Sequence, residues 1–227
     1  DVYKRQVIVC GHYDTAVGSG TNDNGSGVVT ILEIARLLQN VPTEYSIKFI
    51  NFSGEEDGLI GSQHYVNNVV NGTTPKMDIK LVFNIDEIGG VAGMINDAIV
   101  CERDTWSPTS NNAASDIVTT ELMTCTELYS PLKTELSYAY GSDYIPFQYN
   151  DEVITGFFEQ HYSPHAHTTQ DLLVNLDTVY VHNVAKAAIG ATLHFAKATI
   201  PTPETENATK DFNCLLYTSD AADEGLG

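Results

Sequence analysis

With 227 residues, 42% of them hydrophobic, 17 Gly and 8 Pro, the chain is long enough for one globular domain with a real core. Its 30 acids against 11 bases, a formal charge of −19, exclude a protein that works by neutralising phosphates, and with it a nucleic-acid partner. No uninterrupted apolar stretch reaches the roughly 18 residues of a membrane span.

The two ends differ in character from the rest. Asp1–Gln6 and Cys214–Gly227 resemble adapter DNA translated as coding sequence and are set aside from fold reasoning. Residues 7–200 then read as one domain, and 201–213, opened by Pro201 and Pro203, as a tail. Of the cysteines this leaves Cys10, Cys101 and Cys125. None stands in a Cys-x-x-Cys pair, which excludes a cysteine zinc site; a Cys101–Cys125 disulfide and two buried free thiols stay equally open.

In chain order, Val7–Cys10 is a buried-strand signal, followed by a Gly-rich turn. Val28, Ile31, Leu32, Ala35 and Leu38 then recur at the helical period. Ser46–Ser53 reads as a second strand and Leu59–Val66 as a second helix, loosened at its start by Gly58 and Gly61. Lys80–Ile85 makes a third strand. The polar stretch Asp104–Ser115 is a loop leading into a helix toward Cys125, and Val153–Phe158 is a fourth strand. Asp177 caps a closing helix whose Val181, Val184, Ala185, Ala188, Ala191 and Phe195 share a face. Such alternation predicts an α/β fold, a three-layer α/β/α sandwich around a mostly parallel sheet.

In an open α/β sheet the active site lies beyond the carboxyl ends of the strands. There the sequence places Gly11-His12-Tyr13-Asp14, then Asn22-Asp23-Asn24-Gly25, Gly54-Glu55-Glu56-Asp57, Asp86-Glu87, and Glu159 leading to His161, His165 and His167. Chance would supply Ser, Asn, Gly and Lys as readily as acids and imidazoles. Carboxylates so crowded raise one another's pKa unless a cation compensates. Carboxylate and imidazole without thiolate suit Zn²⁺ and permit Mn²⁺ or Co²⁺. Five ligands are accounted for better by two ions sharing a carboxylate than by one.

Six blocks carry a family resemblance: His12-Tyr-Asp14, Asn22-Asp-Asn-Gly-Ser-Gly27, Gly54-Glu-Glu-Asp-Gly-Leu-Ile-Gly-Ser62, Asn84-Ile-Asp86, Gly141-Ser-Asp-Tyr-Ile-Pro-Phe147 and His167-Thr-Thr-Gln-Asp171. In this order they resemble the co-catalytic zinc exopeptidases of the bacterial leucyl aminopeptidase type, in the clan that also holds glutaminyl cyclases. The resemblance implies a zinc-peptidase-like fold truncated at its N-terminus, because the family has strands and helices before the first ligand strand. It implies His12, Asp23, Glu56, Asp86 and His167 as metal ligands. Asp23 would bridge two zinc ions, His12 and Asp86 serving one, Glu56 and His167 the other. It implies Asp14 as the carboxylate that accepts the His12 N–H, Glu55 as general base, Asp143 as a substrate-binding residue and a cis Asp23–Asn24 peptide.

The activity implied is hydrolysis of the N-terminal peptide bond through a metal-bridging water, on a peptide with a free N-terminus, in a secreted or periplasmic setting. Some readings compete residue by residue. A helix cap is the bland account of Asp143, and plain packing that of Tyr162, which otherwise lines a side-chain pocket. His64, His182 and His194 fall on helices, while His161 and His165 rival His167 on one loop. For the whole chain the rivals are a single-zinc glutaminyl cyclase, which usually carries Trp where Ala166 stands, and a catalytically silent binding domain of the same fold.

Overall fold

In the computed structural model, which describes residues 5–199, the first apolar run becomes β1 (Gln6–His12), buried along its whole length. Helix α1 (Gly25–Leu38) follows, its first turn capped by the Asn24 side chain, which accepts from the Gly27 N–H. Strand β2 (Ser46–Phe52) leads to α2 (Ile60–Tyr65), which starts one residue later than the pattern predicts. The preceding Leu59 holds a left-handed φ of 62°, and the helix runs on into a π-helical turn over Val66–Val70. Then come β3 (Ile79–Ile85), β4 (Ala98–Arg103), α3 (Asn112–Tyr129), β5 (Lys133–Tyr138), α4 (Ile145–Tyr149) and β6 (Ile154–Glu159). A 3-10 turn at Leu173–Asn175 precedes α5 (Thr178–Phe195), capped as expected by Asp177, which accepts from the N–H groups of Val179 and Tyr180.

The sheet has six strands in the order β2-β1-β3-β6-β4-β5. β2, β1, β3 and β6 run parallel. β4 pairs antiparallel with β6 and parallel with β5, so the last two strands run in the opposite direction. The four strands expected from apolar runs are the parallel ones. β1, β3 and β6, inside the sheet, are buried on both faces and read as nearly continuous hydrophobic sequence, whereas β2, at the edge, is half-buried and carries Ser46, Lys48 and Asn51 among its apolar residues.

Helices cover both faces. On one, Ile31 and Ile34 of α1, Leu122 of α3, and Val184 and Ala188 of α5 pack on Val9, Phe83 and Phe157. On the other, Phe52, Val66 and Phe147, from the β2 end, the π turn and α4, pack with Tyr144 on Ile8, Cys10, Val82 and Ile154. Each such side chain contributes about 1.5–3 kcal/mol on leaving water. This three-layer core fixes the carboxyl ends of β1, β2, β3 and β6 side by side. Cys10, Cys101 and Cys125 are buried free thiols, so the Cys101–Cys125 bridge is not formed. The tail 201–213 and Cys214 lie outside the described residues. Among those described, no helix is long and apolar enough to cross a membrane.

Candidate metal centre at the carboxyl edge of the sheet

Each candidate ligand is delivered by the end of an element. His12 is the last residue of β1 and is buried; Asp86 directly follows β3. Glu55 and Glu56 follow β2 after Gly54, whose φ of 72° turns the chain. Asp23 precedes α1 across a cis Asp23–Asn24 peptide, and His167 (φ 55°) sits in the long loop after β6.

The Asp23 loop is fastened to the sheet on both sides. Asn24 Nδ2 donates to the Ile85 carbonyl at 2.9 Å, and Asn24 Oδ1 accepts from Gly27 and Glu87 N–H groups at 3.0 and 3.2 Å. Gly27 is required by this approach: a Cβ there would lie 2.4 Å from both Asn24 Oδ1 and the Ile85 carbonyl oxygen. Asn22 Nδ2 donates to both oxygens of Glu159, at 3.1 and 3.0 Å. The backbone N–H groups of Asn22 and Asp23 donate to the two oxygens of Asp171, at 2.7 and 3.0 Å.

Held in this way, Asp23 faces two imidazoles. His12 Nε2 lies 3.2 Å from Asp23 Oδ1 and 3.1 Å from Asp86 Oδ1. His167 Nε2 lies 3.0 Å from Asp23 Oδ2 and 3.0 Å from Glu56 Oε2. The structure thus brings together two triads that share Asp23, with ligand atoms in each within 4.8 Å of one another. His161 and His165 join neither.

A divalent cation fits this donor set. His12 Nδ1 donates to the Asp14 main-chain carbonyl at 3.0 Å. In the neutral ring Nε2 then carries a lone pair, yet two carboxylate oxygens face it. A cation among the three atoms satisfies all of them, and ligands about 2.0–2.2 Å from zinc stand about 3.3 Å apart, close to the spacing here. Without one a proton must serve: burial alone would lower the His12 pKa, but hydrogen bonds to Asp23 and Asp86 push it up to about 12.

Glu55 stands beside the triads with no hydrogen bond from its carboxylate; burial first, then Asp86, pushes its pKa up to about 8. Asp143 is fully buried, and neither oxygen makes a hydrogen bond of regular geometry. Burial raises it to about 7, opposed by the Ser62 hydroxyl and reinforced by Asp86. It caps no helix, since α4 begins after Tyr144 without a side-chain cap. Tyr162 is half exposed and stacks on Phe158 with ring centroids 6.2 Å apart, so it lies at the rim and not in the core.

Asp14 differs from expectation. Its carboxylate is 3.8 Å from His12 Nδ1 and instead accepts the N–H groups of Glu55 and Glu56, both at 3.2 Å. The carbonyl of the same residue already occupies Nδ1, which frees the side chain to fix the Glu55–Glu56 turn. Sequence reasoning assigned no role to Asp171, Glu159, Asn22 or Ser142, whose Oγ donates to Asp86 Oδ2 at 2.5 Å. Asn22, Ser142 and Asp171 stand inside the resembling blocks and Glu159 follows the fourth predicted strand, which is all the signal the sequence carried for them.

The sheet, its helical layers and the cluster at its carboxyl edge define an α/β fold of the zinc-peptidase type. The family model for peptidase family M28 matches residues 1–192, and the chain belongs to that family. Among curated relatives, aminopeptidase YwaD of Bacillus subtilis is 44% identical over 84 residues, covering 37% of this chain and 18% of that protein. Among solved structures, BSAP, a zinc aminopeptidase from Bacillus subtilis, superposes with a TM-score of 0.70 at 27% identity, over 84% of this chain and 46% of that one. Macrostomum lignano glutaminyl cyclase shares the fold, with a TM-score of 0.73 at 15% identity over 86% of this chain and 69% of that one. The chain spans less than half the length of YwaD and BSAP.

Proposed function

We propose that residues 7–200 form the catalytic domain of a metal-dependent aminopeptidase that removes the N-terminal residue of peptides. The observation that carries this reading is the sharing of Asp23: one carboxylate turns Oδ1 to His12 and Oδ2 to His167. His12, Asp23 and Asp86 would hold one ion and Asp23, Glu56 and His167 a second, with zinc the ion that suits carboxylate and imidazole donors. When bound, such a pair supplies Lewis-acid polarisation of a carbonyl and lowers the pKa of water toward neutrality.

The chain's own residues do the rest. Glu55, with no other hydrogen-bond partner, accepts the proton of the attacking water and returns it to the leaving amine. Asp14 sets where that carboxylate points by holding the Glu55 and Glu56 N–H groups. The substrate's α-ammonium settles against the acids of the cluster, Glu56 among them, which favours a free N-terminus.

The test is hydrolysis of leucyl-p-nitroanilide and of its N-acetylated form by the zinc-loaded protein, with zinc per chain measured by elemental analysis. Cleavage of the free substrate alone at two zincs per chain is the expected result. One zinc per chain with cyclisation of an N-terminal glutamine would replace this reading by the cyclase one, and zinc binding without either reaction by the silent binding domain.

A further inference from the structure

The turn 140–144, between β5 and α4, is gripped at two points by one row of the sheet. Cys10, Asn84, Gly156 and Glu102 stand abreast on β1, β3, β6 and β4, each paired in register with the next. Residues paired in register share a face, so Asn84 and Glu102 rise on the same side with Gly156 between them. The Tyr144 ring fills that gap: a Cβ on Gly156 would lie 2.7 Å from Tyr144 Cε1 and 3.2 Å from Glu102 Oε2.

Glu102 takes no part in the chemistry above. Its Oε2 accepts the Tyr144 hydroxyl at 2.5 Å, and the same hydroxyl accepts the Tyr140 N–H at 3.0 Å. The phenol thus closes its own turn and moors it to β4. Inside the turn, Ser142 Oγ accepts from Asn84 Nδ2 at 2.8 Å and donates to Asp86 Oδ2 at 2.5 Å. The Cys10 thiol donates to Asn84 Oδ1 at 3.5 Å, which keeps the amide turned this way. Glu102, Tyr144, Ser142 and Asn84 are all buried, so a bond lost here strands its partner away from water. The second triad is fastened through other contacts: Glu56 through the Ala16 N–H and the turn held by Asp14, and the Asp23 loop through Asp171.

Resting on the two-triad reading of the metal centre, we propose that Glu102 and Tyr144 are positioning residues for Asp86. Their hydrogen bond fixes where Ser142 stands over the sheet, and Ser142, by holding Asp86 Oδ2, leaves Oδ1 directed at His12 Nε2, 3.1 Å away. Loss of the phenol hydroxyl therefore weakens zinc binding at the His12–Asp23–Asp86 triad and spares the triad of Glu56 and His167.

The test is calorimetric titration of metal-free protein with zinc chloride, the two binding steps being assigned by the nitrogen-15 shifts of His12 and His167. Tyr144→Phe, which keeps the ring, is expected to weaken the His12 step about 10-fold and to leave the His167 step at its wild-type value. Glu102→Leu should do the same, whereas Glu102→Gln, which still offers an oxygen to the Tyr144 hydroxyl, should bind zinc as wild type does. Weakening of both steps alike, of the His167 step alone or of neither overturns the inference and leaves the aminopeptidase reading standing. Wild type that takes no zinc at the His12 triad removes the inference and the two-ion reading together. Should the variants fail to fold, wild type decides alone. A turn that steadies Asp86 for zinc must be steadied by zinc to the same degree, so exchange of the Tyr140 N–H should slow about 10-fold on zinc loading. Unchanged exchange overturns the inference.

Discussion

Two sets of acids meet at the carboxyl edge of the sheet, alike in residue type and unlike in what satisfies them. Glu159 accepts from Asn22 Nδ2 and from the N–H groups of Gly90 and Ser163, both at 2.7 Å. Asp171 accepts the N–H groups of Asn22 and Asp23, and Asp14 those of Glu55 and Glu56. Asp86 and Glu56 each tie one oxygen to the protein, through Ser142 and the Ala16 N–H, and turn the other to an imidazole nitrogen. Asp23 turns both that way. The first set fixes loops to the sheet with protein donors; each acid of the second turns at least one oxygen to an imidazole nitrogen. Burial alone would not have separated them, since Glu159 and Asp23 are both almost fully buried.

The largest expected effect breaks the comparison at the acid that belongs to neither set. Glu55→Gln should lower kcat/KM by about 1,000-fold, the middle of the range for a lost general base, while zinc content stays at the wild-type value. A fall in zinc content would instead make Glu55 a ligand.

Next, the two sets should respond oppositely in metal-free protein. Asp171→Ala strands two buried backbone donors and should cost about 2–4 kcal/mol in urea unfolding. Asp23→Asn, which relieves the crowding of Asp23, Asp86 and Glu56 around the two imidazoles, should leave metal-free stability equal to or above wild type while abolishing stabilisation by zinc. Equal losses would erase the distinction.

A smaller effect per group, roughly 1–3 kcal/mol for each raised acid, should appear in the pH dependence of the chelated protein. Burial raises Glu55 and Glu102 to about 8 and Glu159 and Asp143 to about 7. An acid whose folded pKa lies above its unfolded value contributes stability that is complete below the unfolded pKa and lost as pH rises through the folded one. His12, raised to about 12, acts in the same direction above its ordinary value. Stability of the chelated protein should therefore fall between pH 5 and 8, and zinc should flatten that slope; a rise over this interval would contradict the burial of these acids.

The smallest expected effect concerns Asp14. Asp14→Asn should weaken zinc binding about 10-fold to 100-fold by loosening the turn that carries Glu56. Because His12 is held by the main-chain carbonyl, the imidazole should keep its tautomer, which the nitrogen-15 shifts of His12 would report.

Most of the parallel half of the fold was legible because strands buried on both faces leave apolar runs, as in Val7–Cys10 and Leu81–Phe83. The antiparallel half was not. β5 (Lys133–Tyr138) is an edge strand carrying Lys133 and Glu135 to solvent, and its charges mask the pattern. β4 (Ala98–Arg103) follows a Gly-rich turn with no helix between it and β3, so the expected strand–helix alternation passes over it. At the site, acids and imidazoles following strands were visible as residue types. Their division was hidden, because Asn22, Glu159 and Asp171 meet only through contacts spanning some 137 to 149 positions. Spacing could not choose among His161, His165 and His167; the fold does, by turning His167 alone toward Asp23 and Glu56.

Anomalous X-ray scattering at the zinc edge from a zinc-loaded crystal tests the central claim most directly. Two peaks are expected, one within ligand distance of His12, Asp23 and Asp86 and the other of Asp23, Glu56 and His167. A single peak that leaves one triad empty, or none touching Asp23, would contradict the account.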